Sequence, residues 1–519
     1  MESVIRRRKK GVVKPVKVNK GRAIMEEDDD DEPLSPSSAA FHTANFNVHV
    51  LAIMGSTTPA NVELIKAKFP NTLLKHPRFS SVVIGDPSKG EELRWKRTEV
   101  DIDKHIIIPK INLENLESSS SPDKFVEDYI YNLSKTTLDK SRPLWELHIL
   151  QLEISKEVKS LGIFRIHHSL GDGTSLISLL LALTRKTSDP EALPTIPVQK
   201  VNNNNNNNNN RRGLFFWRWI IMAIWFVLRL FWNTLIDTSL FVATSLFLKD
   251  SSVLQSSSGG ANINTRRRMV YKSFSLDDMK LVKNAIGGTI NDVALGITQG
   301  GLSQYLSRKY DDGNNHEDTK EKKKGLAKNI LLRSLLLINL RPSGGIQALA
   351  DMMEKDSEAK WGNPVGYVLL PFIIGLRNDP LDYIREAKNT VDRKKHSLEA
   401  FFSHFMAQIV LKLFGTKVAS SISDRLFSHV TIAFSNLPGP LEEISLCGHP
   451  VSLMAGSSYG QPNPVMINFQ SYSDKMTLTL AVDEYAVPDP HQLCDDIVQT
   501  LKLVKEAVIT QATLVNKNS

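Results

Sequence analysis

Apolar positions cluster in short runs from about residue 33 to 185 and again from about 266 to 510, and a long greasy block lies between the two stretches. In the first stretch Asn47 to Ile53, Phe79 to Ile84 and Ser160 to Ile166 carry the compact apolar pattern of strands. Thr58 to Lys75 has the wider spacing of a helix, with Thr58-Pro59 at its start. A second helix is expected from Gly173 onward. In the second stretch helices are predicted near Leu276 to Ala285 and Asn291 to Tyr305. Strands are predicted near Ile330 to Leu340, Val430 to Ser435 and Met476 to Val482. Arg308 to Gly325 is so rich in Asp, Asn, Lys and Glu that it reads as an exposed loop. Strands alternating with helices in both stretches predict an α/β (α+β) fold of two units.

The block between them has its own grammar. Pro190, Pro194 and Pro197 break structure, Asn202 to Asn210 is a homopolymer with no means of forming a core, and Ser251 to Gly260 reads as a linker. Leu214 to Leu248 is the strongest apolar segment of the chain, long enough for a bilayer that needs about 20 residues. Arg218, Arg229 and Asp237 interrupt it. On a helix turning about 100° per residue, Arg211, Arg218 and Arg229 fall on one line with Asn233 close by, which is the polar stripe of an interfacial helix. Two units that share one site must lie on one side of a membrane, so an in-plane or re-entrant helix suits this segment better than a single crossing. The resulting division is a charged tail (1–32), an N-terminal unit (33–185), a linker carrying the membrane-associated helix 214–248 (186–265), and a C-terminal unit (266–510).

Composition narrows the class. A chain of 519 residues with 41% apolar content can bury real cores and is not mainly disordered. Its two cysteines, Cys447 and Cys494, argue against a disulfide scaffold and fit a reducing or cytosol-facing location. No spacing of Cys or His resembles a zinc site. A net charge of +8 suits anionic partners such as a phosphate group or acidic lipid headgroups. The basic residues are not interleaved with aromatics in a nucleic-acid module, so no nucleic-acid partner is expected. The tail joins a basic cluster, Arg6 to Lys10, to an acidic run, Glu26 to Glu32, and lacks the apolar core of a secretory signal.

The densest chemistry is His167-His168-Ser169-Leu170-Gly171-Asp172-Gly173. An apolar strand feeds it and an apolar helix follows, so two imidazoles arrive at a Gly-bracketed turn. Three readings are open: a buried structural pair, a metal site, or a general base. Successive strand side chains point to opposite faces, which disfavours both rings facing one ion. As a base, neutral imidazole is well matched to accepting a proton near pH 7. His168 would be that base, Asp172 would fix the turn, and His167 would pack elsewhere.

The HHxxxDG box after a strand resembles the wax ester synthase/diacylglycerol acyltransferase family in its plant-type form, within the CoA-dependent acyltransferase superfamily. Further segments carry the likeness in the family's order: Pro33-Leu-Ser-Pro36, His76-Pro-Arg-Phe-Ser80, Pro143-Leu-Trp145, Asn291-Asp292-Val293, Asn339-Leu-Arg-Pro342, Gly362-Asn363 and Ser435-Asn-Leu-Pro-Gly-Pro440. Leu437 replaces the family's usual valine. The resemblance implies two subdomains built like chloramphenicol acetyltransferase, with the active site at their interface. It implies acyl transfer from fatty acyl-CoA to a long-chain fatty alcohol, to diacylglycerol, or to both. Acyl-CoA is then a substrate, and neither a metal nor a separate cofactor is expected. His168 would be the catalytic residue, supported by His167, Asp172, Gly173, Arg341, Asn291 and Asp292, with Asp172 pairing to Arg341. The expected partners also include a membrane lipid surface, at the endoplasmic reticulum and also the plasma membrane, with the catalytic units facing the cytosol.

Rival readings are weaker. His167 and Asp172 also fit an HxxxxD pair of lysophosphatidate-type acyltransferases, but the Glu-Gly-Thr-Arg block of those enzymes does not occur. Soluble plant acyltransferases with HxxxD carry Asp-Phe-Gly-Trp-Gly, also missing from this sequence. A non-catalytic lipid-binding membrane protein on the same fold is opposed by the intact His168, Asp172 and Gly173. A CoA acyltransferase with another alcohol or an amine as acceptor is the remaining alternative.

Overall fold

The computed structural model describes residues 31–43, 46–86, 91–111, 121–197, 212–254, 267–314, 330–340 and 365–518. Most of the tail, the Asn202–Asn210 tract, the end of the Ser251–Gly260 linker, Arg341 and the Gly362-Asn363 pair lie outside the described residues.

In chain order the strands are β1 (Glu32–Pro33), β2 (His49–Ser56), β3 (Ser81–Ile84), β4 (Arg94–Arg97), β5 (Ile106–Ile107), β6 (Trp145–Leu150), β7 (Ser160–His167) and β8 (Thr184–Lys186). They continue with β9 (Arg267–Ser275), β10 (Ile330–Asn339), β11 (Val365–Ile374), β12 (Ile432–Leu437), β13 (Ile444–Leu446), β14 (His449–Tyr459), β15 (Val465–Tyr472) and β16 (Lys475–Asp483). The helices are α1 (Pro36–Ala40), α2 (Val62–Lys68), α3 (Pro122–Ser134), α4 (Gly173–Ala182), α5 (Arg212–Leu246), α6 (Leu276–Ala285), α7 (Ile290–Asn314), α8 (Leu381–Lys394), α9 (Glu399–His429) and α10 (Pro490–Asn518).

Two large mixed sheets organise the chain. The first has the order β5-β6-β7-β2-β14-β13-β8, the second β11-β10-β12-β15-β16-β9. A small sheet, β1-β4-β3, flanks the first. Period-2 alternation gives each face of the first sheet its own core. Leu161 and Ile163 of β7 meet Leu51 and Ile53 of β2 and Val126 and Ile130 of α3 on one face. Phe164 and Ile166 join Phe79, Trp145 and Leu147 on the other. The second sheet buries Leu332, Ile467 and Leu478 against Val282 of α6, Leu306 of α7, Ile384 of α8 and Ile497 of α10.

The two units are not consecutive blocks. After β12 in the second sheet, the chain crosses into the first, adds β13 and β14, and returns as β15. Strand β14 pairs antiparallel with β2 along its length, from His49 opposite Tyr459 to Ser56 opposite Val451. An uninterrupted second unit over 266–510 therefore takes in a hairpin that belongs to the first sheet.

Two boundaries differ from expectation, and one unforeseen helix carries a break. The helix expected over Thr58 to Lys75 is α-helical only across Val62–Lys68, where Asn61 accepts from the Leu64 N–H at 3.0 Å as N-cap. Pro70 has no N–H to continue the ladder, and the chain passes into two short 3₁₀ turns. Residues 308–314, read as loop, are the last turns of α7. The run Glu399–His429 holds a break at Gly415, whose φ of 77° lies in the left-handed region that glycine tolerates.

Candidate active site

The alternation that builds the α3-side core of β7 ends in polar residues. Leu161 and Ile163 are succeeded on the same face by Arg165 and His167. Register then lines up a row across three strands: His167 lies opposite His49, and His49 opposite Tyr459. His49 stacks on Tyr459 at 5.0 Å between centroids and 8°, meets His167 edge-on at 5.2 Å, and His42 covers the other side of His167 at 4.5 Å. Arg165 anchors the row, donating from Nε to the Tyr459 hydroxyl at 2.6 Å and from NH1 to Glu146 Oε2 at 3.3 Å.

His167 is enclosed and its two nitrogens are engaged. The Ser169 N–H donates to His167 Nδ1 at 3.2 Å, so the ring proton sits on Nε2 and is donated to Asn47 Oδ1 at 2.9 Å. Burial first, and the neighbouring His42, His49, His168 and Lys140 second, hold His167 well below the ordinary imidazole value. Burial likewise pushes His42 and His49 down to about 3. These three rings are neutral at pH 7.

His168 is placed differently. The strand ends at His167, and His168 opens the single 3₁₀ turn His168–Leu170. Its N–H donates to the Val48 carbonyl at 2.9 Å, which fixes the backbone. Its half-buried ring stacks on Phe41 at 4.5 Å and 27°, which fixes the plane.

Asp172 follows as the N-cap of α4. Its Oδ1 accepts from the Ser175 N–H at 2.8 Å. A Cβ on Gly173 would lie 3.2 Å from Leu437 Cδ1, so the end of β12 closes on the HHxxxDG turn from the second sheet. The next side chain on β12, Asn436, donates to Asn291 at the start of α7. Asp292 and Thr289 form a reciprocal cap: Asp292 Oδ2 accepts from the Thr289 N–H at 2.7 Å, and Thr289 Oγ1 from the Asp292 N–H at 3.3 Å. Thr289 is thus the capping residue of α7, and Asn291 is left to reach β12. His167, His168, Asp172 and Gly173 are brought together by the turn, and Asn291 and Asp292 reach it through Asn436 and Leu437. Arg341, expected to pair with Asp172, lies outside the described residues.

Phe41, His42, Asn47, Ser169 and Leu437 also shape this place and went unread as contributors. Ser169 was within reach, since a hydroxyl residue two positions after a strand-end histidine can close a local turn. Phe41 and His42 leave no local signal; they arrive because α1 packs beside the 3₁₀ turn. A cavity of ≈ 550 Å³ lies elsewhere, lined by Asp123, Glu157, Tyr271, Asp277 and Lys475, and none of the expected site residues lines it. Among the described residues no group of three His, Cys, Asp or Glu side chains is set to hold a metal ion.

Known proteins resemble this chain over most of its length. Residues 34–294 match the family described as wax ester synthase/diacylglycerol acyltransferase catalytic domain, and residues 361–505 match its C-terminal domain. The chain is 44% identical over 484 residues to wax ester synthase/diacylglycerol acyltransferase 11 of Arabidopsis thaliana, covering 92% of this chain and 96% of that protein. It is 43% identical over 498 residues to number 4 of the same series, covering 94% and 92%. Among solved structures, the wax ester synthase/diacylglycerol acyltransferase of Marinobacter aquaeolei VT8 superposes with a TM-score of 0.54 at 15% identity, over 92% of this chain and 99% of that one. The first condensation domain of the calcium-dependent antibiotic synthetase does so at 0.54 and 12%, over 92% and 96%. The structural likenesses establish a shared two-subdomain fold.

Proposed function

The chain belongs to the wax ester synthase/diacylglycerol acyltransferase family, and on that premise we propose that His168 is the general base of its reaction. The protein is an O-acyltransferase that moves a fatty acyl group from acyl-CoA to an alcohol acceptor, making wax ester or triacylglycerol. The observation that carries the proposal is the contrast between two adjacent imidazoles. His167 is buried and locked by Asn47 and Ser169, whereas His168 is half-buried, held in plane by Phe41, at the junction where β12 closes on the turn.

The chemistry follows from that placement. An alcohol is a poor nucleophile until its proton is leaving. His168 accepts the hydroxyl proton as the oxygen attacks the thioester carbon. The tetrahedral intermediate collapses, the C–S bond breaks, and the imidazolium returns the proton to the departing thiolate. No covalent enzyme intermediate, metal or separate cofactor is needed. The neutral His42, His49 and His167 matter here, because no cationic ring stands beside the one that must take up charge. Asp172 acts through the backbone, holding the turn that presents His168 by capping α4.

The acceptors are long-chain fatty alcohol and diacylglycerol, both of which dissolve in bilayers rather than in water. Among the described residues two helices are long and apolar enough to cross a membrane by length and composition, Arg218–Leu246 and Glu399–His429. They support a place at a membrane, and the location proposed is the endoplasmic reticulum or plasma membrane with both subdomains facing the cytosol. The test is ester formation on microsomes from palmitoyl-CoA and hexadecanol. His168→Ala is expected to lose 10²- to 10⁴-fold in rate, the range for a positioned general base, and His167→Ala far less. Parent-level turnover by the His168 variant sinks the proposal.

A further inference from the structure

Helix α5 is two different objects. Its C-terminal half is rooted in the protein: Asn233, Asp237, Phe241, Thr244 and Ser245 are buried along one stripe. Asp237 is held at 2.9 Å by both Arg393 and Lys394, and Asn233 Nδ2 donates to the His396 carbonyl at 3.1 Å. The half that precedes it is bare. From Arg218 to Trp232 no residue is buried, and Trp219, Ile221, Met222, Trp225, Phe231 and Trp232 each expose more than 60% of their surface. Apart from the line of Arg218 and Arg229 its faces are apolar and uncovered, the pattern of a helix lying in a membrane interface.

A second element stands beside it. Helix α9 starts from the same root, where the Leu398 N–H donates to Thr234 Oγ1 at 3.0 Å, and the two helices pack together through Phe241 and Phe402. Along α9 Phe401 and Phe405 are exposed. At the Gly415 break the chain presents Leu413 and Phe414, 72% and 63% exposed, between exposed Lys412 and Lys417. Greasy side chains at a bend flanked by lysines match the boundary between acyl chains and anionic headgroups.

We propose that α5 and the Gly415 bend of α9 together seat the protein in a single leaflet of an anionic membrane, and that this surface delivers the acceptor to His168. The depth fits one leaflet. With Arg218 and Arg229 on one line facing the headgroups, an in-plane α5 buries its apolar faces about 5–10 Å deep, within a single leaflet. A row of buried aromatic side chains links α9 to the site. Phe427 of α9 meets Phe46 at 5.0 Å, Phe46 meets Phe41 at 5.3 Å, and Phe41 stacks on His168 at 4.5 Å, within one apolar cluster that includes Phe241 of α5. Delivery along this seam rests on His168 being the base; docking does not.

The experiment is flotation of the purified full chain with vesicles of phosphatidylcholine alone or with 30% phosphatidylserine, paired with ester formation from hexadecanol in vesicles or in detergent micelles. The parent floats with the anionic vesicles and at least tenfold less with the neutral ones. L413D/F414D cuts flotation, and turnover of vesicle-held hexadecanol, at least tenfold, while turnover in micelles stays within twofold. K412E/K417E, which removes no apolar contact, loses the preference for phosphatidylserine. A parent that does not float, or double variants that float like the parent, overturns the docking surface. Variants that lose flotation yet keep vesicle turnover overturn delivery. His168→Ala separates the two readings: it floats like the parent, and its turnover reports only on the base.

Discussion

Acidification tests the buried imidazoles. His42, His49 and His76 are each held down to about 3 from an ordinary 6.5, by burial first and by nearby positive charge second. A folded-state value below the unfolded one favours the neutral ring. Each ring therefore contributes stability that is present above pH 6.5 and drains away as pH falls toward 3. At pH 5 an unfolded ring has gained its proton and a folded one has not, a gap of about 1.5 units or about 2 kcal/mol per ring, and about 6 kcal/mol for three. Glu399 opposes this. Burial raises it to about 7 from 4.5, even against the Lys394 Nζ at 2.6 Å. Its contribution is present at low pH and lost as pH rises through 7, so acidification from 7.5 to 5 restores roughly 2.5 kcal/mol. The net loss is about 3–4 kcal/mol, a large share of the 5–15 kcal/mol that holds a domain. His167, also pushed down by burial, adds to it. Urea unfolding of detergent-solubilised protein, followed by tryptophan fluorescence at pH 7.5, 6.5 and 5, should show the midpoint falling by about 1 M. His76→Asn, away from the catalytic turn, removes about a third of the imidazole contribution, and Glu399→Gln removes the offset and steepens the fall. A midpoint that does not move between pH 7.5 and 5 refutes the reasoning.

Two further substitutions probe the turn. Asp172→Ala should cost about 1 kcal/mol, the value of an N-cap, and lower turnover, while Asp172→Asn, which also caps, should restore both; failure of Asn to rescue in urea unfolding and ester assays would mean that Asp172 works through its charge. Phe41→Leu keeps most of the apolar volume but removes a stacked pair worth 0.5–1.5 kcal/mol. It should lower kcat two- to tenfold and cost the fold about 0.5–1.5 kcal/mol in urea unfolding, and an unchanged kcat would show that the stack does not position His168.

What the sequence revealed follows from how local each signal is. The HHxxxDG turn was legible because strand, turn and helix are consecutive and Asp172 caps a helix one residue away. Helix α6 was legible to both ends, since Ser275 caps it and Asp277 and Asp278 fill its first turn. The helix over Thr58 to Lys75 was overextended because its apolar spacing outlasts the backbone ladder that Pro70 ends. The membership of β14 in the first sheet had no signature at all, because alternation names a strand and not its neighbour. The wall of His168 was hidden for the same reason: Phe41 lies more than a hundred positions upstream, and only the packing of α1 brings it over the ring. The second greasy helix escaped notice because its exposed residues, Phe401 and Phe405, have the spacing of a helix face that would ordinarily be read as core.

The shared hairpin decides how α5 can meet a membrane. A single crossing would place the N-terminal strands β2, β6 and β7 on one side and the second sheet on the other. Yet β14, which comes after α5, pairs with β2, which comes before it, and β12 on the far side of α5 in sequence touches Gly173 on the near side. Asp237 is tied to Arg393 and Lys394 of α8, so the rooted half of α5 also stays with the second sheet. Each contact requires both halves of the chain in one aqueous compartment, and together they restrict α5 to an in-plane or re-entrant path. Glycosylation acceptor sequences added at the N-terminus and at the C-terminus should therefore behave alike in microsomes. One tag modified and the other not would mean an odd number of crossings, a topology in which the β2–β14 ladder could not form.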